Sequence, residues 1–121
     1  MANLIPFDFV FDYLPSDIIV KKMFGMHYIY LGKKIIVILH KRNNQSELNG
    51  IWVATSKDYH ENLKNNIPEL SAFFIAGDER HGDWLLLPEH AEDFEGAAIK
   101  VCEMISHGDP AIGKLTEKPP L

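Results

Sequence analysis

The feature that most constrains the fold of this chain is a pair of apolar runs joined by a tight turn. They lie in the segment VKKMFGMHYIYLGKKIIVILHKR, residues 20–42. Glycine at the first position of a two-residue loop suits a type II′ turn, so Gly32 and Lys33 predict a hairpin between strands at 22–30 and 34–41. The segment contains no acidic residue, although the chain carries a net charge of −5.

Both faces of this predicted hairpin are apolar. If Leu31 pairs with Lys34, side chains such as Tyr28 lie on one face. The other face carries a second, mostly apolar set: Met23, His27, Ile29, Leu31, Ile36, Ile38 and His40. A two-layer domain covers one sheet face with helices and leaves the other to water. We therefore expect the second face to form a homodimer interface, with another protein partner or the chain's own loops and tail as alternative covers.

The remaining patterns predict an α+β domain. Helices are expected at 5–13, 57–66 and 88–106, and further strands at 51–55, 72–77 and 83–88. The order α-β-β-β-α-β-β-α describes a two-layer sandwich, in which an antiparallel five-stranded sheet carries helices mainly on one face. We predict a single domain over residues 1–108. Residues 109–121 have little apolar content and are expected to form a mobile tail.

The composition is that of a globular protein. The 121 residues are 46% hydrophobic and 24% charged, close to the average for such domains. The single cysteine, Cys102, excludes an intramolecular disulfide and a cysteine-based zinc site, and its place beside an apolar helix stripe predicts a packed thiol. No signal-peptide pattern opens the chain, and no apolar run reaches the roughly 18 residues of a membrane span. We expect a soluble, cytoplasmic protein with no membrane contact.

Several short motifs resemble those of one protein family. The stretch KKMFGMHYIYLGKK contains a Met-Phe-Gly step at Met23, Phe24 and Gly25, GIWVAT follows as a third strand, and DWLLLPEHAEDFEG places Trp84 before Pro88. In these features residues 18–107 resemble the N-terminal domain of the TfoX competence-regulator family. The HGDW step is similar, more distantly, to YjbR-like proteins. The resemblance implies a two-layer fold that often self-associates, and it implies no catalytic residues.

Basic side chains converge at the open end of the predicted hairpin. They are Lys21, Lys22, Lys41 and Arg42. Lysines that flank apolar strands guard them against edge-to-edge aggregation, so solvated strand ends are one interpretation. Docking of a complementary protein is a second interpretation, and binding of nucleic acid is a third. The sequence pI of about 5.6 is lower than that of a typical nucleic-acid binder.

The histidines invite a metal or acid–base hypothesis. In the predicted register His27 and His40 are diagonal neighbours on one sheet face, and His81, Asp83 and His90 are further candidate ligands. No helix carries an HxxxH or HxxE pair, and two histidines on a sheet do not complete a metal site. We therefore predict no metal, no cofactor and no catalytic residue. A histidine-dependent metal or acid–base enzyme remains a weaker alternative.

A near match to a nucleotide-binding loop does not change this interpretation. In GDPAIGKL, residues 108–115, Leu115 stands where a Ser or Thr would hold Mg²⁺. The sequence thus predicts a non-enzymatic protein-interaction or regulatory domain that self-associates through its sheet. The alternative is a nucleic-acid-associated regulator that uses the basic hairpin end. Protonation of His27 or His40 near pH 6 is expected to weaken the self-association.

Overall fold

One antiparallel sheet organises the molecule. The computed structural model describes residues 5–72 and 82–116, and these residues form an α+β fold with seven strands, where five were predicted. The strands are β1 (Ile19–Met23), β2 (Met26–Leu31), β3 (Lys34–His40), β4 (Gly50–Val53), β5 (Ser71–Ala72), β6 (Leu85–Pro88) and β7 (Lys114–Leu115). Their order across the sheet is β1-β2-β3-β4-β6-β5, and β7 pairs with the end of β3 that β4 does not reach. The predicted element order is therefore not confirmed.

The helical elements are short apart from the last. Within the described ranges they are α1 (His60–Asn66), α2 (Phe94–Ser106) and 3₁₀ helices at Asp8–Asp12, Ser46–Leu48 and Lys57–Tyr59. The helix predicted at 57–66 is present as a 3₁₀ turn that continues into α1. The helix predicted at 5–13 is a short 3₁₀ helix instead, and the rings of Phe7 and Phe9 at its start pack against Phe94 of α2.

The long helix begins later than predicted. Pro88 ends β6 and does not open α2. The helix is capped by Asp93, whose carboxylate accepts a hydrogen bond from the Gly96 N–H at 3.3 Å. It closes at His107 and Gly108, as predicted, with Gly108 in the left-handed conformation at φ 74°.

The strand predicted at 22–30 is in fact two strands. Met23 pairs with Met26, and the two residues between them, Phe24 and Gly25, have φ values of 54° and 76°. Positive φ at both central residues is the pattern of a type I′ hairpin turn. The chain therefore forms β1 and β2 where one strand was expected. The predicted turn at Gly32 is confirmed, because Leu31 pairs with Lys34.

A bulge corrects the predicted register of β2 against β3. Next to the turn, Tyr30 pairs with Ile35, as predicted. Beyond an irregularity between Ile29 and Tyr30, the pairing shifts by one residue, so Tyr28 pairs with Ile38 and not with Val37. Because neighbouring strand residues point to opposite faces, this shift changes which β3 side chains share a face with those of β2.

Both faces of the sheet are buried within one chain. The first core contains side chains of the sheet, of both α-helices and of the segment near Val10. The second core, on the opposite face, consists of Met26, Tyr28, Tyr30, Ile38, Leu48, Trp52, Ala54, Trp84 and Leu86. Ile38 has no exposed surface and Trp52 only 3%. The apolar second face is therefore real, and the chain itself already buries it.

Part of the predicted mobile tail is packed against the sheet. Ala111 is buried, and its carbonyl accepts a hydrogen bond from Thr55 Oγ1 at 2.7 Å. Further along, the Gly113 N–H donates to Ala54 O at 2.7 Å, and the next residues form β7. Contrary to the prediction, residues 109–116 do pack, because Ala111 and Ile112 enter the first core and backbone hydrogen bonds join this stretch to the sheet. Residues 117–121 lie outside the described ranges.

Candidate functional site

The turn between β1 and β2 presents an exposed aromatic side chain. Phe24 is 74% exposed, and its backbone lies in the left-handed region. This conformation costs a residue with a Cβ roughly 1–2 kcal/mol. An exposed ring recovers little of that cost through burial. A strained, solvent-facing phenylalanine contributes little to folding, which makes it a candidate for function.

Arg42 supports this turn from the end of β3. Its Nη1 donates to the Phe24 carbonyl oxygen at 3.3 Å, and its guanidinium stem lies against Gly25. The backbone of Arg42 is held in turn by Asn49, whose Oδ1 accepts from the Arg42 N–H at 2.8 Å and whose Nδ2 donates to the Arg42 carbonyl at 3.0 Å. The buried Asn49 thus fixes the position of a cation beside the turn.

Asn49 also determines which ring nitrogen of His40 carries the proton. Because Asn49 Nδ2 donates to a carbonyl, its Oδ1 is the atom that faces His40 Nδ1 at 3.0 Å, so Nδ1 carries a proton and donates. The imidazole stacks on Trp52 and is 1% exposed. The pKa of His40 is lowered, and burial is the largest cause. His40 is therefore a neutral structural residue of the second core.

A cleft opens beside the turn. It has a volume of about 360 Å³ and is lined by Pro6, Lys22, Gly25, His27 and Lys41, and we refer to it as the basic cleft. Cross-strand pairing brings Lys22 opposite His27. His27 is 8% exposed, and its Nδ1 is enclosed without a hydrogen-bond partner. Burial, and after it the nearby charge of Lys22, lowers the pKa of His27.

The predicted basic patch is only partly assembled. Lys22 and Lys41 line the basic cleft and Arg42 adjoins it, whereas Lys21 points to the other face of β1 because strand side chains alternate. Lys41 also forms an ion pair with Glu89, which offsets part of its charge. The hairpin end is basic, but less so than the sequence suggests.

The predicted interaction face does not form one surface. Ile29, Leu31 and Ile36 belong to the first core, whereas Met23 and Ile38 belong to the second. His27 and His40 lie on opposite faces of the sheet, because the register shift gives His27 a place beside Leu39. These two histidines therefore cannot share a ligand. Ile29, Ile36 and Ile38 are buried inside the chain, which follows from the sheet being covered on both sides.

The other candidate ligands are not brought together either. His81 lies outside the described residues, and His90 is exposed. Asp83 is engaged elsewhere: its carbonyl oxygen lies 2.6 Å from His60 Nε2, and its carboxylate lies 3.9 Å from Lys57 Nζ. Within residues 5–72 and 82–116, no group of three or more His, Cys, Asp or Glu side chains is arranged to hold a metal ion.

Cys102 is placed as its sequence position predicts. The thiol is buried in the first core among residues of α2. Burial, and to a lesser extent the charge of Glu103, raises the pKa of Cys102 to about 12. Since the thiolate is the nucleophile, a thiol in this environment is chemically inert near neutral pH.

No protein-family model, no curated protein sequence and no solved structure matches this chain. The resemblance to the TfoX N-terminal domain therefore stays a prediction. No helix in the described part of the chain is both long and apolar enough to cross a membrane.

Sequence reasoning missed the turn at Phe24 and the contribution of Pro6 to the basic cleft. A signal for the turn was present, because Gly25 directly follows Phe24 and a glycine inside a predicted strand often marks a turn or bulge. It was outweighed by the mostly apolar character of the residues on either side. Nothing in the local sequence relates Pro6 to Lys22, since their proximity depends on how the N-terminal segment packs.

Proposed function

We propose that this chain is a non-enzymatic protein-interaction domain that docks an acidic partner protein at its first hairpin, with Phe24 as the anchor. The observation that supports this most is the 74% exposure of Phe24 in a left-handed backbone conformation. Aromatic residues dominate binding energy at interfaces because they fill pockets on the partner. An exposed aromatic ring on a two-residue turn is suited to that role.

The charges around the turn favour an acidic partner. Exposed Lys21 and Lys22 lie on β1 directly before the turn, and the Arg42 guanidinium adjoins it. A rim of one charge sign steers encounters and discourages partners of the same sign. β1 is an end strand of the sheet in the described part of the chain, and its lysines oppose pairing with a second β1.

Nucleic acid is a less suitable partner for this surface. Lys41 is paired with Glu89, and the sequence pI is about 5.6. Strong nonspecific binding to DNA or RNA draws on many unpaired cations. The experiment must therefore distinguish binding of a polyanion from binding of a peptide.

Self-association through the predicted sheet face would require the chain to open. The residues expected at that interface, such as Ile36 and Ile38, are buried in its own two cores. A homodimer, if formed, uses another surface. Light scattering after gel filtration measures the solution mass, and the variant Phe24→Asn reports whether the turn takes part.

A peptide display selection tests the docking proposal directly. The whole protein is immobilised and challenged with a random peptide library, and the enriched peptides are then measured by fluorescence anisotropy. We expect enrichment of peptides that combine acidic residues with a large apolar residue. The variant Phe24→Asn is expected to abolish their binding, and Tyr13→Asn, a change at an exposed aromatic residue elsewhere, to leave it intact.

Two results would overturn the proposal. One is the absence of enrichment, or enrichment of peptides that bind Phe24→Asn as well as the wild type. The other is binding of single-stranded DNA that competes with every selected peptide and is indifferent to Phe24, which would favour the nucleic-acid alternative. Because asparagine accepts left-handed backbone more readily than phenylalanine, loss of binding in Phe24→Asn would not reflect unfolding.

A further inference from the structure

We propose that the basic cleft is a binding site for a phosphate group, carried either by inorganic phosphate or by a small phosphate monoester. This site lies beside the docking surface and goes beyond the proposed docking function, because it needs neither Phe24 nor a partner protein. Its volume of about 360 Å³ falls near the lower end of the roughly 300–1,000 Å³ range of small-ligand sites.

The donors that line the cleft come from neighbouring strands. Lys22 lies on β1, and His27 lies opposite it on β2. Lys41 directly follows β3, two residues after Leu39, the partner of His27. Three nitrogen donors, on β1, on β2 and just beyond the end of β3, can therefore surround one ligand. Among the described residues, none that lines the cleft is acidic.

The burial of His27 indicates which of its ring nitrogens is available to a ligand. Its side chain is more than nine-tenths buried, yet Nδ1 has no hydrogen-bond partner. A buried N–H without an acceptor is rarer than an unpaired acceptor, so the neutral ring keeps its proton on Nε2. With Nδ1 enclosed, Nε2 is the ring nitrogen left to donate to a ligand in the cleft.

This set of donors suits a phosphate better than a metal or a carboxylate. Two lysines repel a metal cation. A phosphate group carries up to two negative charges and a carboxylate carries one, so two lysine ammonium groups, which act as point charges, attract phosphate more strongly. The Arg42 guanidinium adjoins Gly25 and adds positive potential, while its Nη1 is engaged by Phe24 O.

Glu89 provides an internal control for this assignment. Its carboxylate pairs with Lys41 and competes with any anion for that ammonium group. The variant Glu89→Gln removes the competing charge and keeps the side-chain shape. Phosphate should therefore bind more tightly to this variant, a gain that damage to the fold does not produce.

The test is a titration of the whole protein with inorganic phosphate, followed by NMR of the His27 ring nitrogens and by calorimetry. Sodium chloride at matched ionic strength is the reference. We expect saturable shifts at His27, an affinity about tenfold weaker in Lys22→Gln, and a several-fold tighter affinity in Glu89→Gln. Lys64→Gln, which removes an exposed lysine on α1, should match the wild type. His27→Phe should also lose binding.

Glycerol 3-phosphate, titrated in parallel, separates the two sources of the phosphate group. Tighter binding of glycerol 3-phosphate identifies a phosphorylated small molecule, and tighter binding of inorganic phosphate identifies the free anion. The proposal is overturned if His27 shifts no more with phosphate than with chloride. It is equally overturned if Lys22→Gln and Glu89→Gln both bind phosphate as the wild type does. Neither outcome depends on whether peptides dock at Phe24.

Discussion

The His40 imidazole stacks on the Trp52 indole, with ring centroids 5.0 Å apart and planes inclined by 19°. The two residues lie on adjacent strands of the sheet, β3 and β4. Asn49 holds the imidazole in this position through Nδ1. The same asparagine holds the backbone of Arg42, so the second core and the candidate site depend on one buried side chain.

Asn49→Ala is therefore expected to lower the free energy of unfolding by about 2–4 kcal/mol, because it leaves buried backbone and imidazole groups unpaired. Urea denaturation followed by tryptophan fluorescence measures this change. Asn65→Ala, in an exposed position of α1, is the matched control and should be neutral or slightly stabilising, since alanine favours helix. Equal effects of the two variants would contradict the role assigned to Asn49.

Acid is expected to destabilise the fold through His27 and His40. Both pKa values are lowered in the folded state, so between those values and about 6.5 the unfolded chain binds more protons. The free energy of unfolding is therefore highest above about pH 6.5. It falls as the pH decreases from about 6.5 towards the lowered pKa values of the two histidines. Urea midpoints at about pH 7.5 and 5.5 should show the loss. His40→Gln should reduce this loss, and an unchanged loss in that variant would contradict the role of His40.

Gly50→Ala should be severely destabilising. Gly50 has φ 145°, and a Cβ there would overlap the Leu87 carbonyl oxygen on the neighbouring strand. Gly50 and Leu87 lie on paired strands, so their backbones cannot move apart without breaking hydrogen bonds. We expect the free energy of unfolding to fall by at least about 3 kcal/mol. Gly108→Ala is the control: φ is also positive, but nothing lies near the new Cβ, so about 1 kcal/mol is expected. Thermal unfolding distinguishes the two, and similar losses would be inconsistent with the overlap.

Phe24→Asn should stabilise the isolated protein. The change creates an Asn-Gly pair in a type I′ turn, the arrangement that such turns prefer, and it removes a strained, exposed ring. We expect a gain of about 1 kcal/mol in the free energy of unfolding. A loss of stability would show that the Phe24 ring supports the fold, and its exposure would then say nothing about function.

His27→Phe should also stabilise the protein, although it is expected to abolish phosphate binding. The change replaces a buried nitrogen that has no partner with an apolar edge of similar shape. The gain should be about 1 kcal/mol at neutral pH and larger at low pH, where the wild-type histidine opposes folding. Chemical denaturation at both pH values measures it. If the variant is less stable than the wild type, Nδ1 has a partner in solution, such as a water molecule.

Several features of the fold could be predicted from the sequence because their signals are local. The turn at Gly32, the helical region at 57–66 and the end of the last helix at Gly108 each depend on residues within a few positions of one another. The buried, inert Cys102 follows from the spacing of the α2 stripe. An α+β fold with an antiparallel sheet follows from these elements together.

The candidate site could not be predicted in the same way, because it depends mainly on strand pairing and on contacts between separate segments. The bulge near Ile29 moves His27 and His40 to opposite faces, the turn at Phe24 divides one apolar run into two strands, and Asn49 draws Arg42 towards that turn. Apolar periodicity measures only how buried a segment is. The partner that buries it is chosen by strand pairing and packing across the whole chain, and here those contacts cover both sheet faces and leave the hairpin end exposed.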